Sequence, residues 1–211
     1  MARRPRIDPP NGYHHVMNRG TNRQTVFFSD MDRVEFGRLL GEINERFGVV
    51  CLAYCLMDNH FHLLLEVPPM PEGGLSDEEL LTRLRALYTE AQVAEVAAEI
   101  QAARQLAAEA GGPNGAEAWL AARLAQIHER YTYRMHSLAE FMKGLLQRYT
   151  SWHNRTHERS GRLWEDRFKS VIVEDGVAAR TIAAYIDLNP VRAGLVEDPA
   201  DYRWSSYGEA I

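Results

Sequence analysis

Apolar and polar positions alternate along His60–Val67: Phe61, Leu63, Leu65 and Val67 fall on one face of an extended segment, and His60 and His62 on the other. The preceding run, Val49 to Met57, is apolar and rich in β-forming residues, with Asp58-Asn59 as a turn signal after it. The two runs therefore predict a hairpin. Tyr13 to Asn18 reads as an earlier strand, closed by the polar turn Arg19-Gly20-Thr21-Asn22-Arg23. Between these strands the period lengthens. Phe36, Leu39, Leu40 and Ile43 sit at helical spacing, predicting a helix capped by Ser29 or Asp30 and running to about Phe47, where Gly48 stops it. Pro68, Pro69 and Pro71 end the third strand.

From Leu75 alanine, glutamate and leucine dominate. Ser76-Asp-Glu-Glu79 is a capping box that predicts a helix to Glu109, and the glycine-rich stretch 111–115 breaks it. A second helical stretch covers Ala116 to about Tyr133. A third starts at the capping box Ser137-Leu-Ala-Glu140 and runs to about Asn154. The alanine-rich pair, 75–135, reads as a helical hairpin inserted into a single domain spanning 1–211, solvated on one side and without chemistry of its own. Leu163 to Val173 is a fourth strand region. Asp175 caps a helix from about Val177 to Leu188, which Asn189-Pro190 ends because proline disfavours the helical conformation of its predecessor. This order predicts an α+β fold with an antiparallel or mixed sheet.

Composition narrows the class. At 211 residues the chain is one domain, or one domain with an insertion. It has no run near the roughly 20 apolar residues of a membrane helix. Met1 to Arg6 is basic with no apolar core behind it, so it does not read as a secretory signal. Cys51 and Cys55 lack a second pair to complete a zinc site and read as small buried hydrophobes of a reducing cytoplasm.

The net charge of −5 argues at first against nucleic acid, but acidic residues concentrate between Gly74 and Glu129. Lys143 to Lys169 carries Arg148, Arg155, Arg159, Arg162 and Arg167 with His153, His157, Trp152 and Trp164 interleaved, and the N-terminal segment adds Arg3, Arg4, Arg6, Arg19 and Arg23. One face can therefore bind a polyanion. Arg19, Arg23, Arg155 and Arg167 read as phosphate or base contacts, and Trp164, among arginines, as a stacking platform or a packing residue.

A buried strand has no need of two adjacent imidazoles, whereas a divalent cation does. Further ligands for His60 and His62 would come from Glu66, from His14 or His15, or from a helix. Tyr185 and Asn189 lie one turn apart on one helical face, with Thr181 extending the stripe. A tyrosine beside a ligating amide suggests a phenolate nucleophile aimed at a metal-polarised phosphate. Tyr149, with Asn154 nearby, is a rival nucleophile.

Met57-Asp-Asn-His-Phe-His62, Gly161-Arg-Leu-Trp-Glu-Asp-Arg167, Tyr185-Ile-Asp-Leu-Asn-Pro-Val-Arg-Ala-Gly194 and Trp204-Ser-Ser-Tyr207 occur in that order, after Tyr13-His-His-Val-Met-Asn-Arg-Gly20. In these motifs the chain resembles the REP-associated tyrosine transposases of the HUH single-strand endonuclease superfamily, over most of its length except about 75–135. The resemblance implies a ferredoxin-like or RNA-recognition-like antiparallel sheet. It implies His60 and His62 as metal ligands, Asn189 as the polar residue completing the metal site, Tyr185 as the single catalytic tyrosine, and Mg²⁺ or Mn²⁺ as the metal. The implied reaction cleaves and rejoins single-stranded DNA at repetitive palindromic hairpins through a 5′-phosphotyrosine and a free 3′-hydroxyl. The implied setting is a bacterial cytoplasm, as monomer or homodimer. The alternatives are a hairpin-binding regulator without cleavage and a metal-dependent hydrolase that uses water.

Overall fold

The computed structural model describes residues 12–110, 115–174 and 176–211. Arg3, Arg4 and Arg6, the capping role of Asp175 and most of the glycine-rich break after Glu109 lie outside the described residues. Four strands form one sheet: β1 (Gly12–Arg19), β2 (Val50–Met57), β3 (His60–Val67) and β4 (Lys169–Val173), in the order β2-β3-β1-β4 with every pairing antiparallel. The helix α1 (Asp30–Phe47) links β1 to β2, and α5 (Leu138–Thr156) precedes β4. This is the βαββαβ arrangement of a ferredoxin-like fold. It confirms the α+β reading and makes the sheet antiparallel throughout.

Alternation on β3 decides which helices cover which face. Phe61, Leu63, Leu65 and Val67 are buried with Val16, Phe36, Ile43, Phe141 and Leu145, so α1 and α5 seal that face. The opposite face is covered only in part. A last long helix, α6 (Gly176–Asp187), lays Ala179 and Ile186 on Ala53, Cys55 and Leu64, over β2 and β3. Along the uncovered β4 edge Lys169 and Val171 stay exposed.

Two elements depart from their expected bounds. The helix expected over Ser76–Glu109 is two helices, α2 (Asp77–Arg85) and α3 (Glu90–Glu109). Thr89 starts α3 as the N-cap of a second capping box, accepting from the Gln92 N–H, a Thr-x-x-Gln signal hidden in the alanine-rich run. With α4 (Ala116–Thr132) they bury their own cluster around Leu80, Leu84, Val96, Ile100 and Ile127. The fourth strand is shorter than Leu163–Val173, because Trp164 makes only an isolated bridge to Gly20. The last long helix stops at Asp187, before Asn189-Pro190, as expected. Leu188 stays in the right-handed helical region, and Pro190 starts the short helix α7 (Asn189–Arg192), where a missing N–H costs nothing. A final short helix, α8 (Ser206–Ala210), closes the chain against β2.

Candidate active site

The register between β1 and β3 assembles the polar side of the sheet. Met17 pairs with His62 and Arg19 with His60. Residues directly opposite share a face, so His15, Met17 and Arg19 stand beside His60, His62 and Leu64. The two imidazoles of β3 lie side by side, ring centroids 5.1 Å apart.

Hydrogen bonds fix the free nitrogen of His60. Asn59 donates its amide Nδ2 to the Arg23 carbonyl at 3.1 Å, which turns its Oδ1 toward His60 Nδ1 at 2.7 Å. An amide oxygen only accepts, so Nδ1 carries the proton and Nε2 carries the lone pair. On His62 the Nδ1 is likewise engaged, 2.9 Å from His15 Nε2, and the two rings stack at 5.1 Å. Each histidine of the pair thus has its Nδ1 tied to a second group, the arrangement that orients metal-binding imidazoles. Burial also keeps the rings neutral. It lowers the pKa of His15 and of His60, where the Arg19 charge adds to it, and pushes His62 down to about 3 with help from its two histidine neighbours. Neutral rings, with the His60 lone pair on Nε2, fit a divalent cation held by His60 and His62.

Tyr185 reaches this corner from α6. Its ring meets His15 at 5.8 Å and His62 at 6.0 Å, both edge-on, and remains 37% exposed. The Arg192 guanidinium lies 4.9 Å above the same ring. The sequence offered His15 only as a candidate further ligand and did not single out Arg192. Their signals were the i, i+2 parity that puts His15 on the face of Met17 and Arg19, and the position of Arg192 two helical turns past Tyr185.

Asn189 sits one turn after Tyr185, but its amide Nδ2 caps the end of α6, donating to the carbonyls of Tyr185 at 2.9 Å and Ile186 at 3.3 Å. Its remaining polar atom is Oδ1, the oxygen a cation would use. The rival nucleophile is excluded by burial. Tyr149 lies wholly inside the α1–α5 side of the core, its hydroxyl donates to the Val26 carbonyl at 3.3 Å, and burial pushes its phenol pKa up.

Among the DNA-contact candidates, three surround the His60 end of the strands. Arg19 lies opposite His60, exposed Arg23 is bonded through its carbonyl to Asn59, and exposed Arg167 follows Asp166, whose carbonyl accepts from Asn18. Arg19 forms an exposed pair with Glu165, 2.8 Å from guanidinium to carboxylate, a contact worth about 0–1 kcal/mol and easily exchanged for a phosphate. Arg155 is exposed but belongs to α5, on the opposite face of the sheet. Trp164 is no stacking platform. It is 8% exposed, packed edge-on to Phe61 at 5.4 Å, with its indole N–H given to Thr150 Oγ1 at 3.0 Å.

A different cluster also offers metal-competent atoms. Asp32, His153 and His157 bring one ligand atom each within 4.8 Å of one another, on the α1–α5 side. Among the described residues no helix is long and apolar enough to cross a membrane.

Comparison with known proteins gives two matches. Residues 10–72, which contain β1, the hairpin and the histidine pair, match the family described as Transposase IS200 like. The fold matches the solved structure of a REP-associated tyrosine transposase bound to a REP hairpin, with a TM-score of 0.54 and 12% identity, over 99% of this chain and 84% of that one. No curated protein sequence matches the chain.

Substituting Trp164 by alanine is expected to lower stability by about 3–5 kcal/mol, as for other buried aromatic truncations. Urea unfolding would show this. An unchanged midpoint with weakened DNA binding would restore the stacking role.

Proposed function

We propose that this chain, whose residues 10–72 match the IS200-like transposase family, is a tyrosine transposase that cleaves and rejoins single-stranded DNA beside palindromic hairpins. The observation that carries this reading is the contact of one partly exposed tyrosine, Tyr185, with His62, one of two adjacent imidazoles whose Nδ1 atoms are both engaged. A water-using hydrolase would not need the tyrosine.

The residues divide the work as follows. His60 and His62, with Asn189 Oδ1 as the amide oxygen completing the set, would hold Mg²⁺ or Mn²⁺. When bound, the cation polarises a phosphoryl oxygen and neutralises charge as attack proceeds. Tyr185 Oη attacks the phosphorus. A P–O bond forms to the tyrosine as its Oη gives up its proton to solvent, the bond to the 3′ oxygen breaks, and that oxygen takes a proton from solvent and leaves as a 3′-hydroxyl. The 5′-phosphate stays on the tyrosine, so the reverse attack by a 3′-hydroxyl can rejoin strands without an external energy source. Arg192 over the tyrosine ring, with Arg19, Arg23 and Arg167 at the His60 end, would position the phosphates on either side of the cut. His15 orients His62. Tyr185 lies against His62 within one chain, which supports an active site completed in cis.

Tyr185→Phe should abolish the denaturant-resistant protein–DNA adduct formed on a hairpin with single-stranded flanks in Mn²⁺, while hairpin affinity stays within about twofold. Tyr149→Phe should keep the adduct, and His60→Ala or a chelator should remove it. An adduct on Tyr185→Phe protein would sink the assignment. Hairpin binding by the unaltered chain with no adduct on any flank would instead make it a regulator.

His15→Ala removes the partner of His62 Nδ1. Metal affinity measured through the Mn²⁺ dependence of cleavage should fall by about 10–100-fold, the usual cost of losing a group that orients a metal-binding histidine. An unchanged Mn²⁺ dependence would show that His15 only packs.

A further inference from the structure

We propose that Asp32, His153 and His157 form a second metal site, for a zinc-class cation, on the side of the sheet opposite Tyr185. His153 and His157 are four apart at the end of α5, so their rings share one side of the helix, with centroids 4.5 Å apart. Asp32, in the first turn of α1, reaches across with its Oδ1 2.6 Å from His157 Nε2. Two imidazoles and a carboxylate are the donor set of Zn²⁺, Co²⁺ or Ni²⁺ rather than of Mg²⁺.

Three observations separate this cluster from an ordinary ion pair. First, His153 is fully buried, and among the described residues neither of its ring nitrogens makes a well-formed hydrogen bond. The Val26 backbone is only a weak polar neighbour. A simple Asp–His pair needs no second, fully buried imidazole beside it. Second, the carboxylate is already oriented. Its other oxygen, Oδ2, accepts from the Ser29 N–H at 2.7 Å and the Ser29 hydroxyl at 2.9 Å, leaving Oδ1 to face the imidazoles. Such an outer contact is what a ligating carboxylate requires. Third, the site has a cover and an opening. Phe28 packs over both rings, at 5.6 Å from His153 and 5.0 Å from His157, while the His157 side chain keeps 24% of its surface exposed.

The ligand atoms lie within 4.8 Å of one another, and bonds of about 2.1 Å to a tetrahedral ion put them ~3.4 Å apart. His157 and Asp32 would open slightly and His153 would close in, with water as the fourth ligand. Three protein ligands from two helices make this a staple between the start of α1 and the end of α5.

The test uses the full chain carrying His60→Ala and His62→Ala, which removes the proposed catalytic site. Calorimetric titration with Zn²⁺ should give one equivalent, and Co²⁺ should give the intense visible absorption of a tetrahedral site. At a hundredfold excess over Kd the thermal midpoint should rise by about 5–10 °C. Adding His157→Gln, which keeps a hydrogen-bonding partner for Asp32, should weaken Zn²⁺ binding at least tenfold and erase the midpoint shift. His153→Gln, chosen in case the first variant unfolds, should do the same. Far-UV circular dichroism of each metal-free variant reports folding. Absence of a one-to-one Zn²⁺ complex in the His60→Ala/His62→Ala protein overturns the proposal, as does a complex equally tight in the folded His157→Gln and His153→Gln variants.

Discussion

A one-residue slip between β1 and β3 would carry His15 and Arg19 to the far side of the sheet, because strand side chains alternate with period two. The observed register prevents that. Met17 faces His62 and Arg19 faces His60, while Val16 and Leu63, also directly opposite, point into the α1–α5 core. Apolar packing on one face therefore sets the polar geometry on the other. The histidine pair, its His15 partner and the arginine beside it are held by valines, leucines and phenylalanines they never touch.

The two faces are sealed unequally, and chemistry sits where the seal ends. On the α1–α5 side Tyr149 disappears into the core, which disqualifies it as a nucleophile whatever its neighbours. On the other side α6 covers β2 and β3 but leaves the β4 edge open. His62 is buried, His60 half-buried and Tyr185 more than a third exposed. Such a gradient keeps imidazoles neutral and ready to ligate while leaving the tyrosine within reach of a phosphodiester.

Much of this was legible in the sequence, for reasons that particular residues make plain. The alternation of Phe61, Leu63, Leu65 and Val67 states both the strand and its buried face, and the helical spacing from Phe36 to Ile43 states α1. Spacing also placed Tyr185 and Asn189 one turn apart. What could not be read was contact across the fold. Nothing local says that His15 Nε2 meets His62 Nδ1, or that the amide of Asn189 caps the end of the helix before it. Trp164 and Tyr149 look alike in sequence to surface aromatics among arginines, and only packing against Phe61 and Phe36 shows them to be core. The break before Thr89 was missed because alanine and glutamate favour helix so strongly that one capping box does not stand out.

The start of α1 connects the two histidine pairs. Asp32 holds His157. The next residue, Arg33, is nearly buried, lies 5.7 Å from the Trp204 ring and pairs with Asp58. The Asp58 carbonyl accepts the N–H groups of Val26 and Phe27 at 2.8 and 2.9 Å, so the loop entering α1 and the β2–β3 turn are one bonded unit. Asn59, the other residue of that turn, selects the protonated nitrogen of His60. Anything that fixes the first turn of α1 against α5 therefore also stiffens the turn from which His60 projects. Strand parity puts two imidazoles together on β3 and helical periodicity puts two together on α5. The short α1 segment Asp32-Arg33 is the physical link between them, and the geometry at His60 inherits the rigidity of a contact on the opposite side of the sheet.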